Sequence, residues 1–112
     1  MANRTTYGFQ EPAPVRNLYT ASFQYDVGEW ADKTFPQSSP HSILSHLAEG
    51  VGELAELPGN TAEEMADCLL LLLHLGHKLG IDVFDEAQKK FYVNQQREWE
   101  KDAGEKGYWK RT

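Results

Sequence analysis

Apolar residues recur along this chain at steps of three to five positions, the spacing that places side chains on one side of an α-helix. The first such stretch begins at Asn17 and stops near Phe35-Pro36, because proline cannot continue a helix. The second starts at Ser39-Pro40, a hydroxyl N-cap followed by proline, and ends at Pro58-Gly59-Asn60. The apolar positions of these two helices are Leu18, Phe23, Val27, Trp30, Ala31, Ile43, Leu44, Leu47, Val51, Leu54 and Leu57.

Signals for two more helices follow. Thr61 and Glu64 have the spacing of a capping box and predict a third helix that runs to Leu79, with Gly80 just past its end. Asp82 predicts the N-cap of a fourth helix, whose apolar positions are Val83, Phe84, Ala87, Phe91, Val93 and Trp99. No stretch alternates polar and apolar residues for long enough to predict a strand. The pattern therefore predicts an all-α four-helix bundle over residues 17–103, with an extended arm at 1–16 and a tail at 104–112.

The third helix is apolar on every side. Leu69–Leu73 and Leu75 cover its whole circumference, and a helix of that kind must be buried all round. Three other short helices are too few to enclose it completely. We therefore expect a second subunit to cover the remaining face, in a homo-oligomer that is a dimer or a tetramer.

Composition limits the classes of function. A length of 112 residues suits one domain, and 40% hydrophobic with 25% charged residues is typical of a soluble globular chain. With 11 basic against 17 acidic residues the net charge is −6, which argues against nucleic-acid binding. A single cysteine, Cys68, favours a reducing compartment, and neither a secretory signal nor a membrane-spanning run is visible. We therefore expect a cytoplasmic protein that does not bind a membrane.

The distinctive chemistry is a set of acids on the two middle helices. Residues three or four apart share a helix face, so each helix carries neighbouring carboxylates that repel each other unless a cation lies between them. Across an antiparallel helix pair, these carboxylates would form an oxygen-lined site for a hard cation such as Mg²⁺. The acids are Glu49, Glu53, Glu56, Glu63, Glu64 and Asp67.

The same acids have simpler explanations. Glu64 is also the expected partner of the Thr61 cap, and Glu63, Glu64 and Asp67 lie near a helix start, where the helix dipole favours acids. Glu49 and Glu56 are equally consistent with a solvated face. A ferritin-like di-iron site is excluded, because it needs Glu-x-x-His on two helices and no histidine here has a glutamate three residues before it. Spacing alone leaves metal binding and helix-end charge both open.

Several short motifs, taken in order, give the chain a family resemblance. They are Trp30…Thr34-Phe35, then His46-Leu-Ala-Glu-Gly-Val-Gly-Glu-Leu-Ala-Glu56, Glu64-Met-Ala-Asp67 before the leucines, Gly80-Ile-Asp82, and Lys90-x-x-x-Asn94-x-x-Arg97-x-Trp99. Over residues 17–109 the sequence resembles the all-α NTP pyrophosphatases, which include the MazG-like proteins and the dCTP pyrophosphatases. It is most similar to the small dATP/dGTP diphosphohydrolase domain often found in phage proteins.

This resemblance implies a reaction. A nucleoside triphosphate is hydrolysed between its α- and β-phosphates to a monophosphate and pyrophosphate, which removes unwanted nucleotides from the pool. Mg²⁺ is the implied cofactor, and Mn²⁺ is an implied substitute. Metal ions would neutralise the triphosphate, hold it on an acidic protein and activate a water.

The resemblance also implies the metal ligands, which in the family follow Glu-x-x-Glu and then Glu-x-x-Asp. The matching residues, expected to be both catalytic and metal-binding, are Glu53, Glu64 and Asp67. The first position of the pattern falls on Gly50, which supplies no ligand. Glu49, Glu56 or a water then fills that place, and of these we assign Glu49 as the fourth ligand.

Substrate contacts follow from the same resemblance. Lys90, Asn94 and Arg97 match residues that contact phosphates and sugar, although basic side chains on a last helix are commonly only solvated. Trp30 is expected to stack on a base, although a tryptophan at helical spacing is more often part of a core. His46 borders the expected site and is assigned to a hydrogen bond with the substrate or the protein itself.

Two other classes of function stay open. One is a nucleotide-binding pseudo-enzyme that has lost a metal ligand at Gly50. The other is a structural helical bundle whose acids are only helix-end charges. Release of pyrophosphate in the presence of Mg²⁺ separates an enzyme from both.

Overall fold

The computed structural model describes residues 17–99, and this part of the chain forms four helices. They are α1 (Leu18–Thr34), α2 (Pro40–Leu54), α3 (Thr61–Leu79) and α4 (Val83–Gln96). The prediction of an all-α fold is confirmed. The predicted arm at 1–16 and tail at 104–112 lie outside the described residues. Within residues 17–99, no helix has the length and apolar character needed to cross a membrane.

Side chains cap the first two helices at their N-termini. The Asn17 side-chain oxygen accepts hydrogen bonds from two backbone N–H groups in the first turn of α1. At the start of α2, the Ser39 hydroxyl accepts from the Ser42 N–H at 3.1 Å, and the Ser42 hydroxyl accepts from the Ser39 N–H at 2.8 Å. Pro40 follows the cap. The predicted start of α2 is confirmed, because these bonds satisfy donors that have no partner inside the helix.

The turn between α3 and α4 is also as predicted. Gly80 has φ of +70°, a left-handed conformation that costs glycine little, and the Ile81 N–H donates to the Gly76 carbonyl at 2.8 Å. The Asp82 carboxylate then accepts from the Asp85 N–H at 3.0 Å and caps α4.

Two predicted boundaries are wrong. Thr61 is the first residue of α3 and does not cap it, because its hydroxyl donates to the Pro58 carbonyl while Asn60 occupies the cap position without a side-chain bond. The predicted Thr61–Glu64 capping box is therefore absent, and Glu64 is left for other contacts. α2 ends at Leu54, and Leu57 lies in the connecting turn with φ of +48° and an exposed side chain.

Helix α3 packs against both α1 and α2, and each of the three helices contributes a buried apolar residue to the core, namely Leu73 of α3, Ile43 of α2 and Ala31 of α1. The side of α1 that is buried consists of Gln24, Gly28 and Ala31. The larger apolar side chains of α1 are exposed, among them Leu18, Phe23 and Trp30. Leu44 and Val51 of the predicted apolar side of α2 are exposed as well.

Small and polar residues face α3 because the groups opposite them are bulky or polar. A Cβ at position 28 would lie 2.0 Å from Cγ of His77, so only glycine allows that ring to lie there. The buried Gln24 amide donates to the Ile81 carbonyl at 2.6 Å and accepts from the Val83 N–H at 2.9 Å. A buried glutamine satisfied in this way costs little, whereas an apolar side chain would leave both backbone groups without these bonds.

Part of the leucine surface of α3 stays open within residues 17–99. Leu69, Leu70 and Leu72 are 37–41% exposed, as expected for a helix that the rest of one chain cannot enclose. Of the described residues, 17–86 belong to one compact unit and 87–99 to another, so the boundary falls within α4.

Candidate active site

Two contacts define how α2 and α3 pair. Gly50 of α2 faces Cys68 of α3, since a Cβ at position 50 would lie 3.2 Å from the Cys68 Sγ. One turn later on α2 and one turn earlier on α3, the carboxyl groups of Glu53 and Glu64 lie near each other. Residue numbers increase along α2 while the numbers of the facing residues in α3 decrease, so the two helices are antiparallel. This is the arrangement that the two acidic motifs require in order to face each other.

The carboxyl group of Glu64 is the most perturbed of these acids. Partial desolvation raises its pKa above the ordinary value, and the negative charges of Glu53 and Asp67 raise it further. The close approach of the Glu53 carboxyl group and the charge of Glu63 act in the same direction, because they favour the protonated form. The structure therefore brings Glu53 and Asp67 each near Glu64. Their assignment as metal ligands stays a prediction.

The α2–α3 carboxylates, Glu53, Glu64 and Asp67, form a donor set that suits a hard divalent ion. All three offer oxygen, the donor that Mg²⁺ and Mn²⁺ prefer, and none offers nitrogen or sulfur. Crowded like charges are destabilising, and a cation between them removes the repulsion that raises the pKa of Glu64. The residues present therefore fit a bound divalent cation.

The other residues predicted near this cluster are exposed on α2. Glu49 and His46 both face solvent, and Glu49 precedes Gly50 and so points about 100° away from it. Gly50 offers no ligand, and its lack of a side chain leaves room for the Cys68 Sγ. Any larger residue at position 50 must push that sulfur aside by a few tenths of an ångström. Cys68 is half-buried there, in the packing role expected for it.

Trp30 does not lie in the core. Its side chain, on α1, is 60% exposed and packs edge-on against Phe35, with ring centroids 5.6 Å apart and planes at 90°. The alternative of a core position for Trp30 is therefore wrong, since the buried side of α1 is built from smaller residues. An exposed indole leaves a face available to another ring.

The basic residues predicted for phosphate binding belong to the second compact unit. Lys90 is exposed on α4, while Arg97 lies just past the end of that helix. The Arg97 guanidinium donates to the Asn94 side-chain oxygen at 3.4 Å, and the Trp99 indole N–H donates to the Asn94 carbonyl at 3.0 Å. The structure thus links Asn94 to Arg97, two of the three residues in the predicted group.

Comparison with solved structures defines the class of protein. The chain resembles the cyanophage S-2L MazG-like pyrophosphohydrolase, a structure bound to dGDP and three catalytic Mn²⁺ ions per active site. The TM-score is 0.69 at 27% sequence identity, and the match covers 88% of this chain and 99% of the other. Four helices with acids paired across α2 and α3 therefore make up a MazG-like fold.

Sequence comparison then gives the family. The profile of the dATP/dGTP pyrophosphohydrolase family matches residues 23–108, and the chain belongs to this family. A dATP/dGTP diphosphohydrolase of Salmonella phage PMBT28 is 31% identical over 81 residues, which are 72% of this chain. The match spans only 28% of that phage protein's length.

Proposed function

We propose that this chain is a metal-dependent nucleoside triphosphate pyrophosphohydrolase, which converts a (d)NTP and water to a (d)NMP and pyrophosphate. The observation that supports this most strongly is the meeting of Glu53, Glu64 and Asp67 across α2 and α3, in a chain of the dATP/dGTP pyrophosphohydrolase family. The named activity of the phage relative and the dGDP held by the cyanophage protein make dATP and dGTP the first substrates to test. Removal of unwanted nucleotides is the proposed role.

The metal would be held by the α2–α3 carboxylates. Glu49 or a water would take the place that Gly50 leaves in the family pattern. Mg²⁺ is the proposed cofactor and Mn²⁺ its substitute, because both ions prefer carboxylate and water oxygens. When bound, such ions neutralise triphosphate charge and lower the pKa of a coordinated water.

The net charge of the chain explains why it would depend on a cation. A chain of charge −6 repels a triphosphate, and the α2–α3 carboxylates add to that repulsion locally. Lys90 and Arg97 are proposed to bind phosphates and Asn94 the sugar, with the family resemblance as their support. Trp30 is proposed to stack on the base, which its exposure permits. His46, exposed on α2, is proposed to hydrogen-bond the substrate.

Assembly and compartment are part of the proposal. Met65, Leu69 and Leu72 follow one another at helical spacing on α3 and are 40–58% exposed, which supports a homo-oligomer, either a dimer or a tetramer. A single cysteine, together with the absence of a membrane-spanning helix within residues 17–99, supports a cytoplasmic location.

Pyrophosphate release from dATP, dGTP and other nucleotides, with Mg²⁺, Mn²⁺ or EDTA, tests the reaction. We expect Asp67→Asn to lower turnover at least about a hundredfold without loss of helicity, because Asp67 is exposed and supports no core contact. Asp26→Asn, which removes an exposed acid from α1, is the matched control and should retain full activity.

Two results would contradict the proposal. If Asp67→Asn keeps most of the metal-dependent hydrolysis, the active site is elsewhere. If nucleotides raise the melting temperature of the wild-type chain but no pyrophosphate is released, the chain is a nucleotide-binding pseudo-enzyme.

A further inference from the structure

A second group of potential metal ligands lies at the other end of α3. It consists of Glu29 and Asp32 on α1 together with His77 on α3, and we call these three residues the α1–α3 cluster. His77 follows Asp67 by ten residues, which is about 15 Å along a helix. The cluster is thus separate from the α2–α3 carboxylates.

The spacing of the cluster's donor atoms matches that of ligands around one ion. Nε2 of His77 lies 3.0 Å from Oε2 of Glu29 and 3.7 Å from Oδ2 of Asp32, and the three ligand atoms lie within 4.8 Å of one another. Two ligands each about 2.1 Å from a shared ion are about 3.0 to 3.4 Å apart at octahedral or tetrahedral angles. Small side-chain rotations would therefore place all three around one cation.

The backbone is shaped to hold the imidazole in this position. The His77 ring lies over Gly28, where a Cβ would be 2.0 Å from the ring, and Tyr25 packs against it edge-on with centroids 5.6 Å apart. These contacts limit the ring's rotation and direct Nε2 at the carboxylates. A fixed imidazole loses little conformational entropy when a metal binds.

Outer partners orient one of the carboxylates. The other oxygen of Asp32, Oδ1, accepts from the buried His74 Nε2 at 2.9 Å and from the Lys78 ammonium at 2.9 Å. Hydrogen bonds of this kind fix ligating carboxylates in metalloproteins, and they leave Oδ2 directed toward His77. These partners also lower the pKa of Asp32, so this carboxylate is charged at neutral pH.

Charge and access both favour a cation. With neutral imidazoles, the carboxylates of Glu29 and Asp32 outnumber the ammonium of Lys78 by one negative charge. The side chains of Glu29 and Asp32 are 42% and 34% exposed, so a cation can reach these carboxylates directly from solvent.

We propose that Glu29, Asp32 and His77 bind a divalent transition-metal ion of the Zn²⁺ class at a site distinct from the α2–α3 carboxylates. The class follows from the donors, because imidazole nitrogen with carboxylate oxygen suits Zn²⁺ or Co²⁺, whereas oxygen alone suits Mg²⁺. This inference does not rest on the proposed enzymatic function, since its readout is binding and not turnover.

Titration of the metal-free chain with Co²⁺, in the presence of excess Mg²⁺, tests the site. Calorimetry gives the stoichiometry, and the visible absorption of Co²⁺ reports a nitrogen ligand. We expect one Co²⁺ per chain that Mg²⁺ does not displace and Zn²⁺ does. Glu29→Gln keeps the shape of the side chain and should weaken Co²⁺ binding at least about tenfold. Asp67→Asn should leave this binding unchanged.

Further variants complete the test. His77→Ala should abolish the nitrogen-ligand signal, and His41→Ala, which removes an exposed histidine from α2, is the matched control and should retain it. If His77→Ala fails to fold because its ring fills the space over Gly28, Glu29→Gln alone decides. The proposal is overturned if no Co²⁺ binds beside Mg²⁺, if Glu29→Gln binds it as tightly as wild type, or if Asp67→Asn removes it.

Discussion

Replacing Gly50 with glutamate tests whether α2 and α3 form the proposed active site. The family pattern has a glutamate at this position, and in this chain the position faces Cys68. The change therefore does two things at once. It adds a carboxylate one turn from Glu53, and it places a Cβ only 3.2 Å from the Cys68 Sγ. The two effects are separable, because the first depends on metal and the second does not.

In the metal-free chain, Gly50→Glu makes two opposing contributions to the free energy of unfolding. Removing a glycine from a helix interior stabilises the fold by up to about 1 kcal/mol. Overpacking a contact costs about 1–3 kcal/mol when the neighbour cannot move. We expect Gly50→Glu to lower the free energy of unfolding by about 1 kcal/mol in the presence of Cys68. In a Cys68→Ala background the Sγ is gone, and the gain from removing glycine is reduced by about 0.2–0.5 kcal/mol of repulsion with Glu53, so the same change should be close to neutral and the coupling energy should be about 1 kcal/mol.

The affinity for Mg²⁺ should rise in Gly50→Glu, although the stability of the metal-free chain falls. A unit charge about 4 Å from another contributes about 1 kcal/mol in water, so a new carboxylate near a divalent ion contributes about 2 kcal/mol before entropic costs. The concentration of Mg²⁺ that gives half-maximal pyrophosphate release should therefore fall about tenfold. Glu49→Ala is measured beside Gly50→Glu. If Glu49 serves as the replacement ligand, activity is lost in Glu49→Ala and kept in Gly50→Glu.

Urea unfolding of the four chains in the cycle and Mg²⁺ titration of their activity are the assays. The reasoning is refuted if Gly50→Glu needs as much Mg²⁺ as the wild type and loses the same stability with or without the Cys68 sulfur. That pair of results would mean that position 50 faces neither the metal nor α3.

Three other predictions concern Glu64, Asp32 and Leu69. Desolvation, together with the negative charges of Glu53 and Asp67, raises the pKa of Glu64, so the metal-free chain is weakened once this group ionises. Glu64→Gln should therefore raise the melting temperature at pH 7 and lose that advantage below about pH 4. Asp32→Ala should cost about 1–3 kcal/mol at pH 7, since it leaves the buried His74 without its partner. The pKa of Asp32 is lowered, so its stabilisation is present above about pH 4 and is lost as the pH falls further and the carboxylate is protonated. The free energies of unfolding of variant and wild type, measured in urea, should therefore converge at that more acidic pH. Sedimentation of the wild type should show a species heavier than the 12.7 kDa chain, and Leu69→Lys should shift it toward the monomer.

Local signals in the sequence predicted most of the helix ends. Ser39-Pro40, Gly80 and Asp82 act within three or four residues of themselves, so their roles do not depend on the rest of the fold. Thr61 was the exception. Its hydroxyl donates to the carbonyl of Pro58 in the preceding turn, a local bond that the capping-box spacing does not exclude.

The buried side of α1 could not be predicted in the same way. Apolar periodicity selects Phe23 and Trp30, whereas the structure buries Gln24 and Gly28, because a histidine ring and two backbone groups lie opposite them. His77 is 48 residues from Glu29 and His74 is 42 from Asp32, so nothing local relates them. The α2–α3 carboxylates were easier to predict, since a short turn joins their helices and a family pattern fixes their order.

The two ends of α3 differ in the sign of their interactions. Acids in the first turn and His77 and Lys78 in the last turn both suit the helix dipole, so residue type at either end proves nothing about function. The partner across the helix pair is more informative. At the C-terminal end the Lys78 ammonium lies 2.9 Å from the Asp32 carboxylate, a pair of opposite charges that stabilises the fold on its own. At the N-terminal end Glu64 opposes Glu53, a like-charged pair that destabilises the chain on its own. This repulsion costs stability when no cation is present, so it supports a cation site between the two carboxylates.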